Sequence, residues 1–518
     1  MSLHRRILGG VTGGLFFTFT SIIVSFVQLR LILDFLPVNL AGIWLLFITV
    51  GTYIAFFDLG LSPTLSREIG FALGIGQQPN QQARLIADLL ATCNRLFHLS
   101  ATAVFFLAAI IGGYLVWVTV PPHNFKDVAW AWFIFSGGAA FNLWASSSFA
   151  ALYGLGYVGT ERMIRSISLL VGLCLTAAAL YEKFGIIGLA VVWAAQGGVA
   201  RLIAKRILYN KYPDLLSIRG VASLDVARIV VGPSLKWAAM GLGAILVLQT
   251  DNAVIAVMLG PADIPQYEAV AKIAITTMTL AMLLVTAISP HISKAYAEKN
   301  LPFVTKLLSR SVRLSVAVVV SLVSFIAVFG DVIITLWLGP GRFVGFPVLW
   351  TLLIMVILEV HHVSMATATM ATGYLPFARP ALLAGFLNLI ISVILARYLG
   401  LWGVALGTLL AQLLTNNWYA PCVTLRHFGV PLTKHIKTVL IPMFGLLAGL
   451  LTINIWLRHL LLGYGDLMAV SISLCVSGLI AVAVASALML TTGEQRIIKS
   501  WLVASWSGRK HRSGDDKE

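Results

Sequence analysis

The residues from Phe97 to Val120 contain no Asp, Glu, Lys or Arg, and neither do those from Leu467 to Thr492. Apolar runs of about 18 or more residues are long enough to cross a bilayer as a helix. Inside hydrocarbon the backbone can satisfy its amides and carbonyls only within the segment or in a closed barrel, so runs of this length dictate helices. The spacing predicts fourteen spans along the 518 residues, the first near 11–35 and the last near 467–491. Helix-ending chemistry separates them: Leu36-Pro37, Pro121-Pro122, Gly339-Pro340-Gly341, and Gly429 with Pro431. Only 11% of the chain is charged and its mean hydropathy is +0.92. Soluble domains carry about 25% charged residues, so a soluble fold is excluded.

The formal net charge of +16 has a topological origin. Lys and Arg collect on the cytoplasmic side of a membrane, and no nucleic-acid-binding module accompanies the charge here. With the N-terminus inside, the inner segments hold 29 of the 36 Lys and Arg and the outer loops hold 5. This split places both termini in the cytoplasm and requires an even number of spans. His4-Arg5-Arg6 opens an apolar run that continues to about Phe35, too long for the core of a signal peptide, so it reads as a retained first span. Cys93, Cys174, Cys422 and Cys475 fall in or beside apolar runs without a CxxC pair and read as small buried hydrophobes.

The chain repeats itself. Gly156-Tyr157-Val158 through Arg162 matches Gly373-Tyr374-Leu375 through Arg379, and Gly185-Ile186-Ile187-Gly188-Leu189-Ala190 matches Gly400-Leu401-Trp402-Gly403-Val404-Ala405. A weaker match sets Leu61-Ser62-Pro63 through Arg67 beside Ile288-Ser289-Pro290 through Lys294. The expected fold is therefore an all-α polytopic membrane protein of about fourteen transmembrane helices. It comprises two six-helix direct-repeat bundles, 1–210 and 211–428, two additional helices in 429–492, and a cytoplasmic tail at 493–518. Two such halves share an axis along the membrane normal, with a site between them.

No Gly-Lys pair occurs, so the chain has no phosphate cradle for ATP; HExxH and GxSxG are absent as well. Nothing marks an enzyme. Glu359-Val360-His361-His362 lacks the second copy and further carboxylates of a di-iron site.

Chemistry must then come from polar groups inside the spans, where each charge costs about 2.5–3.5 kcal/mol on insertion scales. Glu359, one turn from His362, reads either as an ion-coupling carboxyl or as a protonated acid in a helix interface. Asp251 and Lys272 flank the turn around Pro261 almost symmetrically, each about 8–12 Å deep at 1.5 Å per residue. They are expected to face one another, with Asp251 available for ion coupling and Lys272 for a substrate cavity. Gln249 and Asn252 extend that polar wall. Arg30, with Gln28 before it and Asp34 one turn later, reads as a snorkelling cation or as a cation facing the cavity. Asn142, Asn388, Gln412 and Asn416 are further lining candidates or interhelical hydrogen bonds.

Phe56-Phe57-Asp58-Leu59-Gly60-Leu61-Ser62-Pro63-Thr64-Leu65-Ser66-Arg67-Glu68 resembles the Asp-x-Gly-Leu…Arg segment of polysaccharide exporters, the Wzx-type flippases. These belong to the multidrug/oligosaccharidyl-lipid/polysaccharide exporter superfamily. The six-plus-six repeat and two added helices extend the likeness over most of the chain. It implies alternating access in a bacterial inner (plasma) membrane, with no cofactor. The implied cargo is a polyprenyl-diphosphate-linked oligosaccharide for O-antigen, exopolysaccharide or capsule. Implied partners are membrane lipids, H+ or Na+, and polysaccharide polymerase machinery. By the same likeness Asp58, Gly60 and Arg67 take a gating or structural role. A lipid II-type flippase fits the fourteen helices too. A drug/cation antiporter is disfavoured by Arg30, and a polymerase or ligase by the lack of a large outer loop.

Overall fold

The computed structural model describes residues 3–74, 79–120, 124–213, 218, 220–461 and 463–489, and among these there is no strand. The chain opens with α1 (Leu3–Phe35), α2 (Val38–Phe56) and the short α3 (Leu61–Gly74). α4 (Pro79–Leu107) passes through one π-turn, Ala108–Gly112, into α5 (Gly113–Thr119). α6 (Phe125–Trp144) breaks into α7 (Ser147–Gly154), and α8 (Val158–Tyr181) and α9 (Gly185–Lys211) follow. α10 (Leu224–Leu248) bends by 43° into α11 (Thr250–Met258). A 3-10 turn at Pro261–Asp263 leads to α12 (Ile264–Ala297), α13 (Leu301–Leu338) and α14 (Phe346–Met370). Then come α15 (Ala378–Leu414), α16 (Asn416–His427), α17 (Leu432–His435), α18 (Ile441–Leu461) and α19 (Asp466–Met489). The expected tail at 493–518 lies outside the described residues.

Among the described residues twelve helices are long and apolar enough to cross a membrane, thirteen with the bent α10–α11 pair. One of the twelve, Ala378–His427, has 50 residues. At 1.5 Å per residue it would measure about 75 Å, against about 30 Å of hydrocarbon. It is in fact a hairpin. Gly400 (φ 57, ψ −137) interrupts α15. Across the turn the Ser392 hydroxyl donates to the Val404 carbonyl at 3.3 Å, and the Thr408 hydroxyl lies 3.0 Å from Asn388 Oδ1. A Cβ on Gly403 would sit 2.1 Å from the Leu395 carbonyl. With both arms counted, the candidate spans among the described residues number fourteen, in keeping with a multi-pass membrane protein. The equivalent repeat position, Gly185, carries the same φ of 57° between α8 and α9. Both turns need a left-handed residue, which glycine supplies without a Cβ clash.

The helices form two compact units. The first comprises Met1–Lys272 with Ala378–Gln412, the second Ile273–Phe377 with Leu413–Glu518. In the first, an aromatic stack fixes the helices around a hollow. Phe135 lies on Trp193 with ring centroids 4.1 Å apart, and Phe47 meets Trp132 edge-on at 4.8 Å. The π-turn after α4 frees the Ala108 carbonyl, which the Trp132 indole N–H reaches at 3.0 Å. In the second, α13 is buried along its length against α14, α18 and α19.

Candidate functional site

The first unit lines a half-open cavity of about 1140 Å³. Its charged groups come from four places. The α2–α3 turn is the first. Leu59 and Gly60 take left-handed φ values of 48° and 73°, which ends α2 and turns Asp58 back onto α3. Asp58 Oδ1 accepts from the Ser62 N–H at 2.9 Å, and Arg67 follows on α3. Burial pushes the Asp58 carboxyl above its ordinary value, more than the Ser62 and Leu61 amides and the Arg201 charge pull it down.

The second place is the start of α8. Glu161 is buried in its first turn, between Arg162 at 3.5 Å and Arg165, one helical turn on. The third is α9, where Arg201 Nη1 donates to Asn142 Oδ1 at 3.2 Å and to the Gly197 backbone carbonyl at 3.0 Å. Arg165 and Arg201 both lie over the Phe149 ring, at 4.4 and 5.6 Å, so one aromatic ring serves two guanidinium groups. The fourth is the α11–α12 hairpin, where Glu268 Oε1 meets Lys272 Nζ at 3.4 Å. Asn252 donates to Glu268 at 3.1 Å and to Thr49 at 3.0 Å.

The wall thus carries five cations, Arg67, Arg162, Arg165, Arg201 and Lys272, against three acids, Asp58, Glu161 and Glu268. Among the described residues no acid lies within 4 Å of Arg201. Arg67 is paired with Glu68 at 2.8 Å and Lys272 with Glu268, so the excess positive charge rests on Arg162, Arg165 and Arg201, and that part of the surface favours an anion.

Behind the wall lies a second polar cluster. α10 gives way to α11 at Gln249 (φ −123, ψ −4), and the break frees the carbonyls of Leu246 and Val247. The Asn388 amide donates to both at 3.1 Å. The other side of the same residue gathers oxygens: the Ser392 hydroxyl lies 2.9 Å and the Thr408 hydroxyl 3.0 Å from Asn388 Oδ1. Thr408 is also 2.9 Å from Asp251 Oδ1, and the Tyr267 hydroxyl is 2.5 Å from Asp251 Oδ2. One carboxylate, one amide oxygen, three hydroxyls and the Val404 carbonyl converge. Such an all-oxygen set suits a hard cation rather than a transition metal. Among the described residues no three His, Cys, Asp or Glu side chains come together as a metal site.

Of the residues singled out in the sequence, Gln28, Asp58, Arg67, Asn142, Gln249, Asn252 and Lys272 line the cavity. Gly60 shapes the turn. Arg30 is absent from the wall; it pairs with Asp34 at 3.0 Å and is 45% exposed. The expected pairing of Asp251 with Lys272 is corrected. The hairpin register sets Asp251 opposite Tyr267, so Lys272 lies beyond it and meets Glu268 one turn back on its own helix. The Glu-x-x-x-Lys spacing was the overlooked signal, since residues four apart share a helix face. Glu359 and His362 belong to the second unit, with His362 Nδ1 3.6 Å from Glu359 and 2.9 Å from Asn417 Oδ1. The wall residues missed in the sequence are Arg162, Arg165 and Arg201, which the count of loop charges had absorbed. Yet Arg201 lies ten residues before the end of α9, about 15 Å along the helix and too far in for a loop.

No family model and no curated protein matches the chain. Solved structures do. A lipid II flippase, MurJ, in an inward closed conformation is similar with a TM-score of 0.68 at 14% identity, over 91% of this chain and 98% of that one. An inward-facing multidrug resistance MATE family transporter gives 0.65 at 15% identity, over 80% and 96%. A transporter from Pyrococcus furiosus Vc1, described by the reverse polarity of its binding pocket, gives 0.58 at 14%, over 81% and 95%. At such identities the likeness speaks for the backbone, and the chain has the fold of the transporters of the MOP superfamily.

Proposed function

We propose that the protein is a flippase that carries a polyprenyl-diphosphate-linked oligosaccharide from the cytoplasmic to the outer leaflet by alternating access. The observation that carries this reading is the cavity wall, with five cations against three acids and about 1140 Å³ of space. Arginine forks match phosphate oxygens two at a time, and the surplus positive charge compensates a diphosphate taken out of water. The polar lining from Gln28, Asn142, Gln249 and Asn252 offers hydrogen bonds to sugar hydroxyls. The Asp-x-Gly-Leu…Arg segment adds the resemblance to polysaccharide exporters, with Asp58 and Gly60 shaping a gate.

The proposed moving bodies are the repeat halves 1–210 and 211–428, with 429–492 added, in a bacterial inner membrane with both termini inside. Coupling is assigned to the Asp251 cluster, whose oxygens suit H+ or Na+, with Glu359 and His362 as a proton-exchanging pair. No nucleotide is hydrolysed. Reporters fused near 215, 300 and 430 are expected to score cytoplasmic and those near 124, 262 and 341 external; an external residue 300 contradicts the orientation.

Deleting the gene and analysing the lipid-linked sugar that accumulates tests the cargo. A branched or repeat-unit oligosaccharide on a polyprenyl diphosphate supports the reading, and the absence of any lipid-linked sugar contradicts it. A lipid II-type cargo is the second reading, favoured by the similarity to MurJ along 91% of the chain. It presents the same diphosphate to the same cations, and an accumulating peptidoglycan precursor would identify it.

A further inference from the structure

The first unit has a second hollow, a crevice of about 200 Å³ where α4, the α6–α7 break and α9 meet. Its polar lining is one-sided. Arg201 and Lys205 supply cations, Asn94 an amide, Ser147 and Ser148 hydroxyls, and His98 an imidazole. No acid is among the described residues that line it. Arg201 borders both this crevice and the large cavity. Its Nη1 is spent on Asn142 and Gly197, whereas its Nε is buried with no hydrogen-bond partner among the described residues. The guanidinium thus keeps its charge without an acidic partner within 4 Å among the described residues, and that charge acts on the crevice it borders.

The rim is of a different kind. Leu202 is 50% exposed, Tyr209 49%, and Trp144, stacked on His98 at 5.1 Å, 36%. Lys205 Nζ lies 5.9 Å from the Tyr209 ring, near the basic end of α9. Apolar residues around a cationic pit, with aromatic rings beside it, describe a membrane-interface site. A free anion would have to approach past an apolar rim, whereas a lipid brings its phosphate along that rim with its chains on the apolar side. The volume lies below the roughly 300–1,000 Å³ of sites that enclose a drug-sized ligand, so one phosphate with its ester carbons fits and a diphosphate sugar does not.

We propose that this crevice binds the phosphate of an anionic membrane phospholipid, held between Lys205 and Arg201 with Ser147, Ser148 and Asn94 around it. The site is separate from the cargo cavity and does not depend on the identity of the cargo. Because Arg201 is shared, an occupied crevice also anchors one of the cavity's cations.

The test is lipid titration of the purified, delipidated full-length protein in detergent, read by native mass spectrometry. The probes are dioctanoyl phosphatidylglycerol, dioctanoyl phosphatidylcholine and inorganic phosphate. Saturable binding of the anionic lipid is expected, tighter than that of the zwitterionic one and not displaced by equimolar inorganic phosphate. Lys205→Gln should weaken it about fivefold, the weight of one basic residue at an anionic lipid surface. Lys205→Arg should retain it, which guards against misfolding. Lys211→Gln should leave it unchanged, since Lys211 lies on the Tyr157 ring at 3.9 Å and not in the crevice. Equal affinity in Lys205→Gln and wild type, or an equal loss in Lys211→Gln, overturns the site. Displacement by equimolar phosphate overturns the lipid assignment.

Discussion

The first unit gathers charged groups, several of them ion-paired, around a space, whereas the second buries mainly uncharged polar groups against one another. Around the cavity stand Arg67, Arg162, Arg165, Arg201 and Lys272, with three acids among them. In the second unit several buried polar side chains close into neutral pairs, beside the buried Glu359–His362 contact at 3.6 Å. Ser315 meets Ser364 at 2.9 Å, Thr369 meets Thr424 at 2.7 Å, and His361 meets His435 at 2.9 Å. The Ser477 hydroxyl donates to Asn454 at 3.1 Å. The repeat adds a second contrast, between copies rather than units, because equivalent positions can be read side by side. Arg165 corresponds to Leu382 and Arg201 to Asn416 at the offsets of the two matched motifs. Arg162 is matched by Arg379, but at these two positions one copy has guanidinium groups where the other holds an apolar and an amide side chain. A charge in a span costs about 2.5–3.5 kcal/mol, while an interhelical hydrogen bond returns about 0.6 kcal/mol on average. Packing therefore explains the neutral pairs, and the retained charges call for a wet cavity and a ligand.

The contrast breaks first at Arg201. Arg201→Gln is expected to insert normally and to lower cargo affinity about 10- to 100-fold, the range for a lost hydrogen bond to a charged group of about 1.5–3 kcal/mol. Arg201→Lys should recover only part of this, because an ammonium cannot present the paired donors of a guanidinium. Binding of a radiolabelled polyprenyl diphosphate to the purified variants gives the answer, and unchanged affinity would remove Arg201 from the site.

A smaller effect is expected at the cluster behind the wall. Asp251→Asn keeps the hydrogen-bonding shape but removes the charge, so transport should fall about tenfold and cease to respond to a proton or sodium gradient, since general linkage requires a differential interaction with the ion. Transport rates in proteoliposomes under imposed gradients measure this. A variant that responds like wild type would make Asp251 structural, and Glu359→Gln, run beside it, reports on the second candidate in the same way.

The smallest effect belongs to the second unit. A double-mutant cycle of Thr369→Val and Thr424→Val should give a coupling of about 0.6 kcal/mol and leave cargo affinity unchanged. Thermal unfolding and the same binding assay report both quantities. A loss of binding comparable to that of Arg201→Gln would erase the distinction between the two units.

Much of this was legible in the residues themselves. Apolar run lengths gave the helical class and the fourteen crossings, because hydrocarbon leaves the backbone so few options. Matched glycines told of the repeat, since Gly185 and Gly400 take the same left-handed φ. The wall was legible only in part. Gln28, Asn142, Gln249, Asn252 and Lys272 stood out as polar residues in apolar runs. Arg162, Arg165 and Arg201 did not, because near a helix end a cavity-lining cation and a cytoplasmic cation look alike in one dimension. Helix register was the other blind spot. Asp251 and Lys272 are equidistant from Pro261, but the actual turn pairs Asp251 with Tyr267. Symmetry about a proline does not determine which residues meet.

The most direct measurement is flipping itself. Proteoliposomes containing the purified protein and a fluorescent polyprenyl-diphosphate oligosaccharide would be exposed to a membrane-impermeant reagent that destroys only outward-facing sugar. The account predicts protein-dependent exposure of the inner-leaflet pool without ATP, strongly slowed in Arg165→Gln and Arg201→Gln and undisturbed in the Thr369–Thr424 double variant. Equal rates in liposomes with and without protein, or equal rates in wild type and both arginine variants, would contradict it.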